Sequence, residues 1–244
     1  MGRTLGLAYG VLAYAIFFVV LLYAVAFVGD LPVPRSIDRG PAGPMLTAFL
    51  VDLILLGLFA VQHSVMARPA FKRWWTRMVP QPIERSTYVL ASSLVLALLC
   101  RLWRPLTAVV WSVGGLGASV LQSVFWLGWL VVLVSTFLIS HFELFGLSQV
   151  WANFSRKAAT SQAFRTPLFY GFVRHPIYLG FVLAFWATPT MTAGHLLFAL
   201  ATLGYMLVAI QLEEHDLIGT FGEDYVAYRR RVSMLIPLPL RRGA

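Results

Sequence analysis

From Leu5 to Val28 the chain runs without a single charged residue. A stretch of about 20 apolar residues crosses the ~30 Å hydrocarbon layer of a bilayer as a helix. This run is also longer than the ~7–15 residues of a signal-peptide core, so it reads as a first membrane helix rather than a cleaved leader. Three further runs have similar character: Met45–Met66, Arg85–Trp103 and Val120–Phe142. Near the C-terminus, Ile177–Ala187 is apolar but short, ends at Thr188-Pro189-Thr190, and is followed by the long run Gly194–Leu217. The spacing predicts a tight helical hairpin there, whose first arm rises only about 16 Å and does not cross alone. The fold class is therefore all-α, a polytopic transmembrane helical bundle with five to six membrane helices and a C-terminal helical hairpin.

Composition agrees. Of 244 residues 59% are hydrophobic and 12% charged, with a mean hydropathy of +0.77, against about 25% charge in a soluble domain. The net charge of +9 does not imply nucleic acid, because the basic residues sit in short loops, where they set orientation. All but four of the nineteen Lys and Arg fall on one side of the expected topology. These are Arg3, the loop from Arg68 to Arg85, the segment from Arg156 to Arg174 and the tail from Arg229 to Arg242. Only Arg35, Arg39, Arg101 and Arg104 fall on the other. The positive-inside rule then places both termini in the cytosol if there are six crossings, and the inner membrane is expected for a bacterial chain. One domain is expected over 1–244, with 1–143 forming N-terminal helices on the substrate side. No repeats appear, and no obligate protein partner is implied. Gly29–Pro44, with four prolines and three glycines, reads as an external connection, and Lys72-Arg73-Trp74-Trp75 as an interfacial belt. The single cysteine, Cys100, lies in an apolar run and reads as a packing residue.

Ionisable residues at the edges of membrane helices are costly to keep and therefore informative. Arg174-His175-Pro176 opens the short hairpin arm, with Pro176 suited to a first helical position. Glu213-Glu214-His215-Asp216 ends the return arm. Because the arms are antiparallel, these ends are expected to be neighbours at the cytosolic face. A helix start with Arg174 or His175 suits a carboxylate, and Glu213 or Glu214 suits an ammonium or ribose hydroxyls. A zwitterion would fit; charges that merely mark helix ends are the bland alternative.

The run Arg174-His175-Pro176-Ile177-Tyr178-Leu179-Gly180 resembles the RHPxYxG element of membrane methyltransferases. That group includes isoprenylcysteine carboxyl methyltransferase and phospholipid N-methyltransferases. The likeness continues through Leu212–Leu217, Phe221–Tyr228, Val232 and Pro237, and so covers 167–237. It implies S-adenosylmethionine as cofactor, S-adenosylhomocysteine as its product, and Tyr170, Arg174, His175, Pro176, Tyr178, Glu213 and Glu214 as cofactor-binding residues. In the front half, Gln62–Arg68, Phe71-Lys72, Pro82–Tyr88 and Ser92-Ser93 resemble NnrU-type membrane proteins and, more closely, the methanethiol S-methyltransferases. That resemblance implies transfer of a methyl group to a small hydrophobic thiol, giving dimethyl sulfide, with no metal. The prenyl-protein enzymes carry an arginine about one turn before the paired glutamates, where this chain has Ala209-Ile210-Gln211. An isoprenyl-cysteine or lipid acceptor, and a haem-bearing isomerase like some NnrU-type relatives, remain alternatives.

Thiol methylation needs the thiolate, so a base or positive field is expected. His63 is the leading candidate by position, with Glu84 and Arg85 as further catalytic candidates that could instead cap the third helix. Asp52, Leu56, Phe59 and His63 share one helix face, and a stripe with two ionisable groups should face the bundle interior. His141 and Glu143 are weaker candidates of the same kind. His195 and the tryptophans Trp126 and Trp129 read as structural.

Overall fold

A computed structural model describes residues 2–157 and 164–237. Arg241 and Arg242 of the basic tail, and part of the polar stretch before the hairpin, lie outside the described residues. The long apolar runs are helices: α1 (Arg3–Val28), α2 (Met45–Ala67), α4 (Gln81–Leu102), α5 (Gly115–Ile139) and α9 (Ala193–Phe221). These five are long and apolar enough to cross a membrane, and the chain is an integral, multi-pass membrane protein. The short arm is α8 (Pro176–Trp186), eleven residues long and about half the hydrocarbon thickness at 1.5 Å per residue.

Boundaries differ from expectation where polar residues open a helix. The third long helix begins at Gln81 rather than Arg85, with Pro82 in its first turn, a place where a missing N–H costs nothing. The fourth begins at Gly115 and stops at Ile139, so His141 and Glu143 lie in a separate turn, α6 (His141–Leu144). The basic-aromatic belt is α3 (Pro69–Trp75). The polar stretch after α5 is not simply a loop. It contains α7 (Leu147–Ser155) and a 3-10 turn at Leu168–Gly171, and α10 (Glu223–Arg231) follows α9. Two short strands, β1 (Val109–Ser112) and β2 (Thr190–Thr192), pair in a two-stranded ladder.

The described residues form two compact units. The first contains 2–110, 141–157 and 191–198; the second contains 111–140, 164–190 and 199–237. In the first, α4 packs along α1 and α2, and α7 lies on α1 and α4. Gly146 makes the turn into α7 with φ +87°, and a Cβ there would come within 2.6 Å of Ser86 Oγ and 2.7 Å of its backbone N. Only glycine satisfies both the left-handed backbone and that approach. The Pro/Gly-rich connection is tied down: Trp103 Nε1 donates to Ile37 O at 3.0 Å, and Ile37 is fully buried. In the second unit, α5 and α8 cross at small residues. A Cβ on Gly128 would meet Ala184 N at 2.6 Å and Gly180 O at 2.7 Å. Close backbone approach of this kind is how helices associate in lipid, where no hydrophobic effect drives them together.

Candidate functional site

The second unit holds the two ends of the hairpin together. His175 is the residue before α8, Pro176 is the first residue of that helix, and no side chain caps its start. Glu213 and Glu214 lie in the last turns of α9. Their side chains part company: Glu214 is 3% exposed and Glu213 is 45% exposed. Glu214 takes three cationic or N–H partners. Arg174 Nε donates to its Oε1 at 2.7 Å, His175 Nε2 donates to the same oxygen at 3.0 Å, and Arg229 Nε lies 3.1 Å from Oε2. Glu213 receives the Tyr178 hydroxyl at 3.1 Å, with His175 Nδ1 4.0 Å away. One carboxylate is thus built into the wall, and its neighbour presents an oxygen to the exterior.

The C-terminal segment completes the corner. Val173 pairs with Ser233 in a parallel bridge. Arg174 N donates to Ser233 O at 2.8 Å and His175 N donates to Met234 O at 3.2 Å. Arg174 Nη1 donates to Arg229 O at 3.2 Å and Val232 O at 2.5 Å. Arg174 Nε and Nη1 therefore both point into protein, and the guanidinium acts as a clamp between α9 and the end of α10. Tyr228 lies beneath and donates to Tyr170 O at 2.6 Å, while the Tyr170 hydroxyl reaches Ser135 O at 3.5 Å. Burial, then the Glu213 carboxylate, pushes the Tyr170 phenol up, and burial pushes Tyr228 up to about 12. Both stay neutral donors at physiological pH.

The structure therefore brings Tyr170, Arg174, His175, Pro176, Tyr178, Glu213 and Glu214 into one corner of the second unit. Sequence reasoning did not separate Glu213 from Glu214, and it missed Arg229 and the strap Val232–Met234. The resemblance touches that strap only at Val232, and its bonds are main-chain bonds.

In the first unit, His63 on α2 meets α4. Its Nε2 lies 2.9 Å from the Tyr88 hydroxyl and its Nδ1 3.3 Å from Ser92 Oγ, while Phe59 stacks on the ring at 5.2 Å and 21°. Arg85 lays its guanidinium over the Tyr88 ring, 5.2 Å from the centroid, and donates from Nε to Leu144 O at 2.8 Å. Glu84 stands in the first turn of α4. Asp52, fully buried, accepts Arg104 N at 2.9 Å and so ties the end of α4 to α2, away from His63. His141 bonds the Tyr14 hydroxyl at 2.8 Å. His195 is buried and its N–H donates to Thr192 Oγ1, so it is part of the structure around β2. Among the described residues no group of three or more His, Cys, Asp or Glu could hold a metal ion.

Similar proteins support one family. The chain is 56% identical over 242 residues to methanethiol S-methyltransferase of Mycobacterium tuberculosis, covering 99% of each chain. It is 57% identical over 231 residues to methanethiol S-methyltransferase 2 of Bradyrhizobium diazoefficiens, covering 95% of this chain and 89% of the relative. Nurim of Rattus norvegicus is a more distant relative, 31% identical over 185 residues, 71% of this chain and 69% of that one. No family model and no solved structure matches the chain.

Proposed function

We propose, because this chain belongs to the methanethiol S-methyltransferase family, that it methylates methanethiol at sulfur to give dimethyl sulfide, with S-adenosylmethionine as the methyl donor. The observation that carries the donor assignment is the unlike pair of carboxylates. Glu214 is saturated by Arg174, His175 and Arg229, whereas Glu213 stays half-exposed beside the uncapped start of α8. That donor set fits a zwitterionic amino-acid group. Glu213, steadied by Tyr178, takes the ammonium or the ribose hydroxyls, and the start of α8 with the His175 edge takes the carboxylate. Arg174 and Glu214 hold that geometry rather than touch the ligand. Tyr170 and Pro176 shape its wall.

S-adenosylmethionine, when bound, supplies an electrophilic methyl group on a sulfonium. The chain's own work is then to hold the reactants in line at near-attack distance and to deliver the acceptor as its thiolate. His63 takes the thiol proton, and the Arg85 guanidinium supplies positive field near it; Glu84 belongs to the same helix turn. The N-terminal helices thus serve the thiol, and 167–237 serves the cofactor, within one functional domain. The basic residues of the segments at Arg68–Arg85 and Arg229–Arg231 support a cytosolic side for this chemistry.

Calorimetry with S-adenosylhomocysteine on wild type and Glu213→Gln tests the assignment. Loss of one charge-assisted hydrogen bond, about 1.5–3 kcal/mol, weakens binding roughly tenfold or more. Equal affinity in the two proteins would remove Glu213 from the site.

A further inference from the structure

We infer that the thiol's proton leaves through a two-residue relay, in which the Tyr88 hydroxyl passes it to His63 Nε2. The relay rests on the reading that His63 activates the thiol, and it adds a residue that the sequence did not single out.

Both ring nitrogens of His63 are engaged by α4. Tyr88 and Ser92 are four residues apart on that helix and face α2 together. Ser92 Oγ receives Gln62 Nε2 at 3.2 Å and lies 3.3 Å from His63 Nδ1. With Ser92 Oγ accepting from both, Nδ1 carries the proton and Nε2 is the acceptor, and this is the tautomer the relay uses. In that tautomer the Tyr88 hydroxyl, 2.9 Å from Nε2, donates to it; the His63 carbonyl, at 3.5 Å, is a long second acceptor. Phe59 stacked on one face holds the ring in that orientation. In this tautomer a proton reaches Nε2 by way of the Tyr88 oxygen.

Tyr88 is suited to pass it on. A free phenol titrates near ~10, and a simple alkyl thiol, without the electron-withdrawing groups of cysteine, titrates in the same range, so the two exchange protons without a large uphill step. The Arg85 guanidinium over the ring face favours negative charge on the phenol, and its bond to Leu144 O fixes it there. In the step itself, the thiol S–H bond breaks and its proton joins the Tyr88 oxygen. The Tyr88 O–H bond breaks and its proton forms N–H at His63 Nε2. The electron pair stays on sulfur as the thiolate, and the imidazolium releases its proton to water between turnovers.

The test uses full-length protein in detergent with S-adenosylmethionine and two thiols of similar shape, ethanethiol and the far more acidic trifluoroethanethiol. Thiol activation matters for the first and little for the second, so a merely structural lesion moves both alike. Tyr88→Phe and His63→Gln should each lower kcat/KM for ethanethiol by about 100-fold, the ordinary scale of general base catalysis. Both should nearly spare trifluoroethanethiol and S-adenosylhomocysteine affinity. Selective loss in His63→Gln with wild-type behaviour in Tyr88→Phe overturns the relay and leaves the His63 reading standing. Wild-type rates in both variants overturn both. Equal losses with the two thiols make the pair structural and overturn the relay. Should Tyr88→Phe not fold, replacing Tyr88 by difluorotyrosine keeps the packing and changes only the phenol's acidity. The relay then predicts an altered rate with ethanethiol alone, and unchanged rates overturn it.

Discussion

Glu214→Gln is the most informative single lesion in the corner formed by Arg174, His175 and Glu214. The substitution keeps the volume of a side chain that is 3% exposed and removes its charge. What remains is Arg174, 9% exposed at its side chain, facing an amide that can satisfy only part of what the carboxylate did. Breaking one half of a buried ion pair costs about 3–5 kcal/mol. Arg229, 48% exposed, adds little. Arg174 keeps its two carbonyl acceptors, Arg229 O and Val232 O, so the lower end applies, about 3 kcal/mol. For a chain of this size that lowers a thermal midpoint on the order of 10 °C. The assay is thermal unfolding in detergent, run beside Arg229→Gln and Glu213→Gln. Those two should sit within about 1 kcal/mol of wild type, as exposed charges do. If Glu214→Gln unfolds with them at the wild-type midpoint, Glu214 does not anchor the corner, and the division of labour between the two glutamates fails.

Three further outcomes follow from the same geometry. Gly128→Ala drives a Cβ into the backbone of α8 and should cost about 1–3 kcal/mol in thermal stability, whereas Gly57→Ala, which meets nothing, should be neutral or gain up to about 1 kcal/mol. Tyr228→Phe removes the bond to Tyr170 O and should destabilise the unfolding transition by about 1–3 kcal/mol, the cost of a buried acceptor left bare. Alkaline titration should weaken the second unit. The Tyr228 phenol is raised from 10.0 to about 12, so the stability it contributes is complete below pH 10 and is lost as pH rises through about 12; phenolate absorbance read against thermal midpoint should show the two changing together, and an unchanged midpoint across that window would count against it.

The membrane helices were legible because lipid demands long uncharged runs, and Leu5–Val28 or Met45–Met66 can be little else. The neighbourhood of Arg174-His175-Pro176 and Glu213-Glu214 was legible because an antiparallel hairpin leaves its ends no other choice. Elements that depend on packing were not. α7 hides in a Ser- and Gln-rich stretch, although Leu147, Val150, Trp151 and Phe154 carry helical spacing. Its fully buried residue, Val150, fits against Gly10, far away in sequence. Adjacent glutamates point about 100° apart on a helix, and only the positions of Arg174, His175 and Arg229 decide which one turns inward. Tyr88 looked like one residue of a motif, since its partner His63 is distant along the chain and meets it only when α2 packs on α4. The strap at Val232–Met234 bonds through its main chain, which carries no side-chain signal.

The central claim is methyl transfer to a small thiol. Purified protein in detergent, supplied with S-adenosylmethionine and methanethiol, should release dimethyl sulfide into the headspace, with one S-adenosylhomocysteine formed for each. A prenylated cysteine offered in place of methanethiol should not be methylated. Absence of dimethyl sulfide from folded protein that binds S-adenosylhomocysteine, or methylation of the prenylated cysteine instead, would contradict the account.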